Sequence, residues 1–216
     1  MQTEIVKHNQ AVRWRRRKES RGEEILEAAL AQFSEHGYAR TKLDDLAKAA
    51  GISKGTLYLY FENKEAIFKS VVTHYVFPEI ERAEISLLSF KGSSAELIHK
   101  LIHQWWDIVG ETNLGCLPKM IISEANNFPD IAQFYVDNVI QRVRHLVIKI
   151  IKAGIDKKEF RKCDPEYVAR VLISPMVFTA IWENSLVTYD SEEYDVRKFV
   201  DTHLEIFIKG ILKEIK

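Results

Sequence analysis

Apolar side chains recur at three- and four-residue steps from Glu23 onward. Ile25, Leu26, Ala29, Leu30 and Phe33 share one face, which predicts an amphipathic helix ending at Gly37 as its C′ residue. Thr41 with Asp44 three residues on predicts a cap opening a short helix, with Leu43, Leu46 and Ala47 inward and a stop at Gly51. Ser53 predicts the cap of the next, Lys54 to about Phe61. Two short helices across a turn containing Gly51 form a helix-turn-helix pattern over about residues 42–61. Asn63 opens a fourth helix through Ile67 and Val71 to about Val76. Pro78 is expected to kink or stop it, because the ring removes a helix donor and disfavours helical geometry at Phe77.

Beyond that point Ser93 and Glu96 predict a capping box for a helix to about Val109. Pro118 suits the first turn of another helix to Asn126, and Pro129 starts a long one through Val147 and Ile150. Asp164-Pro165 launches a helix to about Leu186, and Asp190 with Glu193 opens the last. The pattern gives about nine helices and no strand, an all-α fold. Gly 9 and Pro 5 in 216 residues agree, since turn formers are scarce. The longest apolar-rich uncharged run, Val171 to Trp182, falls short of the roughly 18 residues that span a bilayer, so no membrane partner is expected. The first twenty residues hold no apolar stretch of the kind a secretory signal requires. Cys116 and Cys163 lack ligand spacing, which suits reduced thiols and a cytoplasmic location.

The charge total conceals a gradient. Lys+Arg 31 balance Asp+Glu 31, yet residues 1–22 carry Lys7, Arg13, Arg15, Arg16, Arg17, Lys18 and Arg21 against Glu4 and Glu19 alone. A basic end beside a helix-turn-helix pattern makes this end the nucleic-acid candidate, with a solvated tail as the alternative.

The stretch from Ile25 to Val72 resembles the DNA-binding domain of the TetR family of bacterial transcriptional regulators. The resemblance rests on AALAQFSEHGY, TKLDDLAKAAGIS and KGTLYLYFENKEAIF, about 50 residues at unbroken spacing. It implies a three-helix DNA-binding domain with a helix-turn-helix, joined by a linking helix to a larger helical regulatory domain. The expected divisions are a basic arm at 1–18, the DNA-binding domain at 19–79 and a ligand-binding and dimerisation domain at 80–216. Ser53 at a helix start offers backbone N–H groups to a phosphate, and Gly55 permits close approach to the duplex. Lys54 and Thr56 are the first side chains placed for base edges, and Tyr58 and Tyr60 offer hydroxyls to phosphates or rings to the core. Thr41 and Lys42 are further phosphate candidates, with a cap and a solvated lysine as the plain alternatives. The resemblance implies that Lys64 is a phosphate anchor, and its poor placement for the helix dipole agrees.

In the C-terminal half the segment from Val168 to Trp182 is apolar nearly all round, so it must be covered on two sides. Val168, Val171 and Leu172, with Phe199, Phe207 and Gly210 of the last helix, are the expected homodimer interface. Trp106, Met120, Phe134, Phe178 and Trp182, with the polar groups of Glu124 and Asn138, are the expected effector site for a small apolar or aromatic molecule, with simple core packing as the alternative. His99 and His103 have zinc-chelating i, i+4 spacing, but no HExxH and no third ligand is evident, so no metal or cofactor is expected. No catalytic signature appears. The chain reads as a repressor released from a palindromic double-stranded operator by its effector. An architectural DNA-binding protein without effector and, remotely, an all-helical enzyme are the other readings.

Overall fold

A computed structural model describes residues 2–192 and 195–213, with side chains from Ser20 onward. The chain divides between Thr73 and His74 into two compact units.

The first unit holds α1 (Gln2–Arg40), α2 (Leu43–Ala49), α3 (Lys54–Tyr58) and α4 (Lys64–Val71). Helix α1 begins long before Glu23, and non-helical Gly37 (φ 76°) breaks its last turn as expected. The basic side chains from Lys7 to Lys18 lie outside the described ones. Packing follows the sequence periodicity: Ile25, Ala29 and Phe33 of α1, Leu46 of α2, Leu57 of α3, and Ile67 and Phe68 of α4 are all buried. The rings of Phe33, Tyr38 and Phe68 meet pairwise with centroids 5.6–6.2 Å apart, an aromatic centre that fixes α4 against the end of α1. Burial, with Glu65 adding to it, pushes the Tyr38 phenol up to about 12. Gly51 (φ 65°) makes the turn between α2 and α3, a backbone conformation that a side chain would strain.

One expected cap is corrected. Thr41 is only 2% exposed, and its hydroxyl turns back to donate to Gly37 O at 2.7 Å. Lys42 is the N-cap residue of α2 and makes no side-chain cap bond. Ser53 and Asn63 do cap, accepting from Thr56 N and Ala66 N.

A π-helical turn over Val72–Val76 follows α4 and contains the boundary between the units. Pro78 then sits in the first turn of α5 (Phe77–Ser89), so the chain meets the proline by changing its winding rather than by stopping. The second unit continues with α6 (Ser94–Val109), α7 (Cys116–Glu124), α8 (Pro129–Tyr135), a second π turn (Val136–Ile140), α9 (Gln141–Asp156), α10 (Pro165–Glu183) and α11 (Val196–Ile211). Asp195, not Asp190, caps the last helix, and Glu193 lies outside the described residues.

The core of this unit joins Ile98, Ile102 and Trp106 of α6 to Ile150 and Ile151 of α9, Leu172 and Met176 of α10, and Val200 and Leu204 of α11. Gly154 lets the Phe160 ring lie directly against α9. From there an isolated antiparallel bridge, Phe160 to Leu212, ties the α9–α10 connection to the end of α11. No helix among the described residues is long and apolar enough to cross a membrane.

Candidate functional site

Helix α3 turns Leu57 inward, and that orientation decides what its other face presents. Ser53, Lys54, Gly55 and Tyr58 are exposed, and Thr56 and Tyr60 are half-buried. Leu59, 77% exposed, stands among them as a bare apolar side chain. The signal in the sequence is its position: at 100° per residue it lies about 200° from the inward Leu57. The Ser53 Oγ accepts the Thr56 backbone N–H at 3.1 Å and lies 2.9 Å from the Thr56 hydroxyl. One of the amides expected to meet phosphate is thus already satisfied, and a five-residue helix has only a small dipole to offer. Lys54 Nζ donates to Asp44 Oδ2 at 3.0 Å, which raises the pKa of the lysine above its ordinary value and holds its stem against α2.

Lys64 departs most from expectation. Its ammonium donates to the carbonyl oxygens of Tyr38 (2.7 Å), Ala39 (3.3 Å) and Thr41 (3.0 Å) and lies 4.3 Å from the centre of the Tyr38 ring. A lysine has three donors, and here they meet two carbonyls in the last turn of α1 and that of Thr41 just after it. Carbonyls at the end of α1 thus give this lysine partners within the protein, where a phosphate was expected. Thr41, buried with its hydroxyl spent on Gly37, is likewise corrected as a phosphate contact. Lys42 remains exposed beside it.

The expected effector residues differ in burial, from the enclosed Trp106 and Met120 to the exposed Phe178, whose ring lies 6.0 Å from that of Trp182. Trp106 is buried beneath α6, so close to Gly110 that a Cβ there would overlap the indole, and Met120 is buried on α7. Phe134 is half-buried and stacks on Phe77 with centroids 6.3 Å apart. Arg142 lies 5.5 Å from the Phe77 ring and grips Glu84 through Nη2 at 2.8 Å and Nε at 3.2 Å. Hydrogen bonding to Glu84 raises the Arg142 pKa further. Asn138 spends its amide N–H on Phe134 O at 2.8 Å, while Glu124 and Trp182 are half-buried. Phe178 is corrected: it is 61% exposed and points away from this unit's core.

The interface residues also divide by face. Leu172, 1% exposed, and Phe207 belong to the protomer's own core. Val171, Phe199 and Gly210 are exposed, and Val168 is half-buried. Tyr167, Val171 and Phe178 form an outward apolar stripe on α10, and Phe199, Ile206 and Gly210 form one on α11. Elsewhere, Asp201 of α11 joins His99 and His103 of α6 in a cluster whose candidate donor atoms lie within 4.8 Å of one another, a third donor invisible in the sequence.

A capped short helix with an open outer face, set on a buried aromatic centre and followed by a separate helical unit, defines the class of helix-turn-helix transcriptional regulators. Comparison with known proteins makes this specific. Residues 25–71 match the model of bacterial regulatory proteins of the tetR family, and residues 97–209 match that of the AefR-like transcriptional repressor C-terminal domain. The chain belongs to the TetR family, and it is a ligand-responsive DNA-binding transcriptional regulator of the repressor kind.

The fatty acid metabolism regulator protein of Bacillus subtilis is 26% identical over 191 residues, 87% of this chain and 94% of that protein. Among solved structures, the transcriptional regulator FadR from Bacillus subtilis in complex with stearoyl-CoA superposes with TM-score 0.73 at 24% identity, covering 87% of this chain and 98% of its own. A putative transcriptional regulator from Saccharomonospora viridis in complex with choline gives 0.74 at 21% identity, over 91% and 100% of the two chains.

Proposed function

We propose that the unit ending at Thr73 reads a palindromic operator as half of a homodimer, and that the unit beginning at His74 dimerises and binds an effector bearing a long apolar chain. The observation that carries the DNA half is the outer face of α3, where Lys54, Gly55, Tyr58 and Leu59 stand exposed around the Ser53 cap. Lys54 suits guanine O6/N7, and Leu59 and the Thr56 methyl suit a thymine methyl. Tyr58, Tyr60 and Lys42 are assigned to phosphates, with the basic segment ahead of Ser20 adding sequence-independent attraction. The exposed stripes on α10 and α11 support dimerisation, because each helix already buries its opposite face in its own unit. The likeness to a regulator solved with stearoyl-CoA supports an acyl-chain effector. Phe134, Asn138, Glu124 and Trp182, the half-buried members of the expected set, are assigned to it.

The chain enters the second unit through the π turn at Val72–Val76, and such turns are frequent at functional sites. A hundredfold loss of operator affinity requires a coupling of only about 2.7 kcal/mol. Selection from random duplexes is expected to yield a palindrome with half-sites about one helical turn apart, ~34 Å, or somewhat more. Titration of that complex with long-chain and short-chain acyl-CoAs is expected to release DNA with the long chains alone. An asymmetric site refutes the dimeric reader, and indifference to chain length refutes the effector class.

A further inference from the structure

We propose that His99, His103 and Asp201 form a binding site for one divalent transition ion of the zinc class, linking α6 to α11. The i, i+4 histidines lie with ring centroids 4.5 Å apart and their planes tilted by 39°. Across from them the Asp201 carboxylate, brought in by α11, lies 3.0 Å from His103 Nε2. That contact is not aligned as a hydrogen bond, and Nε2 is enclosed with no hydrogen-bonding partner. With the ring protonated the two form an ion pair, and with the ring neutral a cation between the enclosed nitrogen and the carboxylate satisfies both. Ion pairing accounts for His103 and Asp201, and helix spacing sets His99 beside them, so that all three side chains offer a donor atom within 4.8 Å of one another.

The geometry is close to what a metal requires. Zn–N and Zn–O bonds near 2.0–2.1 Å across a tetrahedral centre set donors about 3.3 Å apart. All candidate donor atoms here lie within 4.8 Å, and one pair is already at 3.0 Å, so side-chain rotation of about an ångström closes the set. Two imidazoles and one carboxylate are a borderline donor set that zinc accepts and calcium or magnesium does not favour.

The neighbouring carboxylates are engaged elsewhere. Glu96 accepts from Ser93 N at 2.8 Å in the capping box, and Glu205 pairs with Lys209 at 2.5 Å. His99 and Asp201 line a groove of about 430 Å³ together with Glu96 and the Glu205–Lys209 pair, and the fourth position is assigned to water from that groove. Asp201 lies about 200° around α11 from Phe199. The site consequently stays open when the outward stripe of α11 is covered by a second copy, and it is independent of the effector site proposed above.

The test uses the full chain, stripped of metal by chelator and titrated with Zn²⁺ by calorimetry and with Co²⁺ by visible absorption. Expected are one ion per chain, a Co²⁺ spectrum of low coordination number, and a Zn²⁺-induced rise in melting temperature. His99→Gln, at an exposed position, should keep the metal-free melting temperature while weakening binding at least about 100-fold, beyond the range that even outer-shell changes produce. His103→Gln and Asp201→Ala should do the same to binding. Absence of saturable binding overturns the proposal, and so does binding that survives any one of the three substitutions.

Discussion

Replacing Lys64 by methionine distinguishes a clasp within the first unit from a contact with DNA. Methionine keeps the apolar stem beside Tyr38 and removes the three donors that hold the carbonyls of Tyr38, Ala39 and Thr41. Hydrogen bonds from a charged group contribute about 1.5–3 kcal/mol in favourable settings. Here the end of α1 is partly open, and water can take over part of the task, so the combined loss, including the ammonium over the Tyr38 ring, is about 2 kcal/mol. For a unit of this size that is a fall in melting temperature of roughly 10 °C.

The same variant predicts an unchanged salt dependence of operator binding, because a lysine committed to three carbonyls releases no counterion from DNA. A phosphate contact would instead lower the slope of log K against log salt by about 0.9. Thermal melting followed by circular dichroism and operator titration at four salt concentrations read the two effects separately. A variant that melts like the wild type and loses about one unit of slope refutes the clasp and restores the phosphate anchor.

Gly154→Ala drives a Cβ into the Phe160 ring and should cost about 1–3 kcal/mol by overpacking, seen as a lower melting temperature of the second unit with operator contacts unaltered. Val171→Glu together with Ile206→Glu should shift the chain to monomer in sedimentation while leaving helix content intact, since both side chains are exposed in the protomer. Glu96 is held below the ordinary carboxylate pKa by its hydrogen bonds to Ser93, the backbone bond first. Its contribution is therefore fully present above about pH 4.5 and is lost as pH falls through the lowered folded value, so Glu96→Gln should flatten the fall in melting temperature between pH 5 and 3. Leu59→Ala should relax base preference at one operator position without changing the salt slope, as measured by competition between single-base variants.

Both units are legible in the sequence to the extent that their signals are local. Ser53, Asn63 and Ser93 each announce a cap because the amide they accept lies three residues ahead, within the same short stretch of chain. Thr41 carries the same signal, yet its hydroxyl finds Gly37 O behind it, where the break in α1 has freed a carbonyl. The partners of Lys64 are hidden for a related reason: the carbonyls it serves are 23 to 26 positions earlier and converge on it only after α4 packs against α1. Asp201, about a hundred residues beyond His99 and His103, is the same problem in the second unit. Periodicity identifies which helix face is apolar, but the partner of a polar group belongs to the tertiary arrangement.

Helix α10 marks where composition ceases to discriminate. Its inward residues Ala169, Leu172, Met176 and Ala180 and its outward residues Tyr167, Val171 and Phe178 are equally apolar, so a helical wheel finds two hydrophobic faces and no label for either. The fold supplies the label through burial, moving Leu172 from the expected interface to the core and Phe178 from the expected effector site to the surface. Trp106 and Phe134 show the same ambiguity among aromatics. Trp106 is closed in by Gly110, so an effector replacing its contacts would first have to break a packed core, whereas Phe134 is half-buried and touches Phe77 on one side. A ligand gains most where apolar surface is still wet, because only surface not already removed from water adds to the driving force. Effector selectivity is therefore expected to respond to substitutions at Phe134 and its half-buried neighbours, while substitutions at Trp106 act on stability alone.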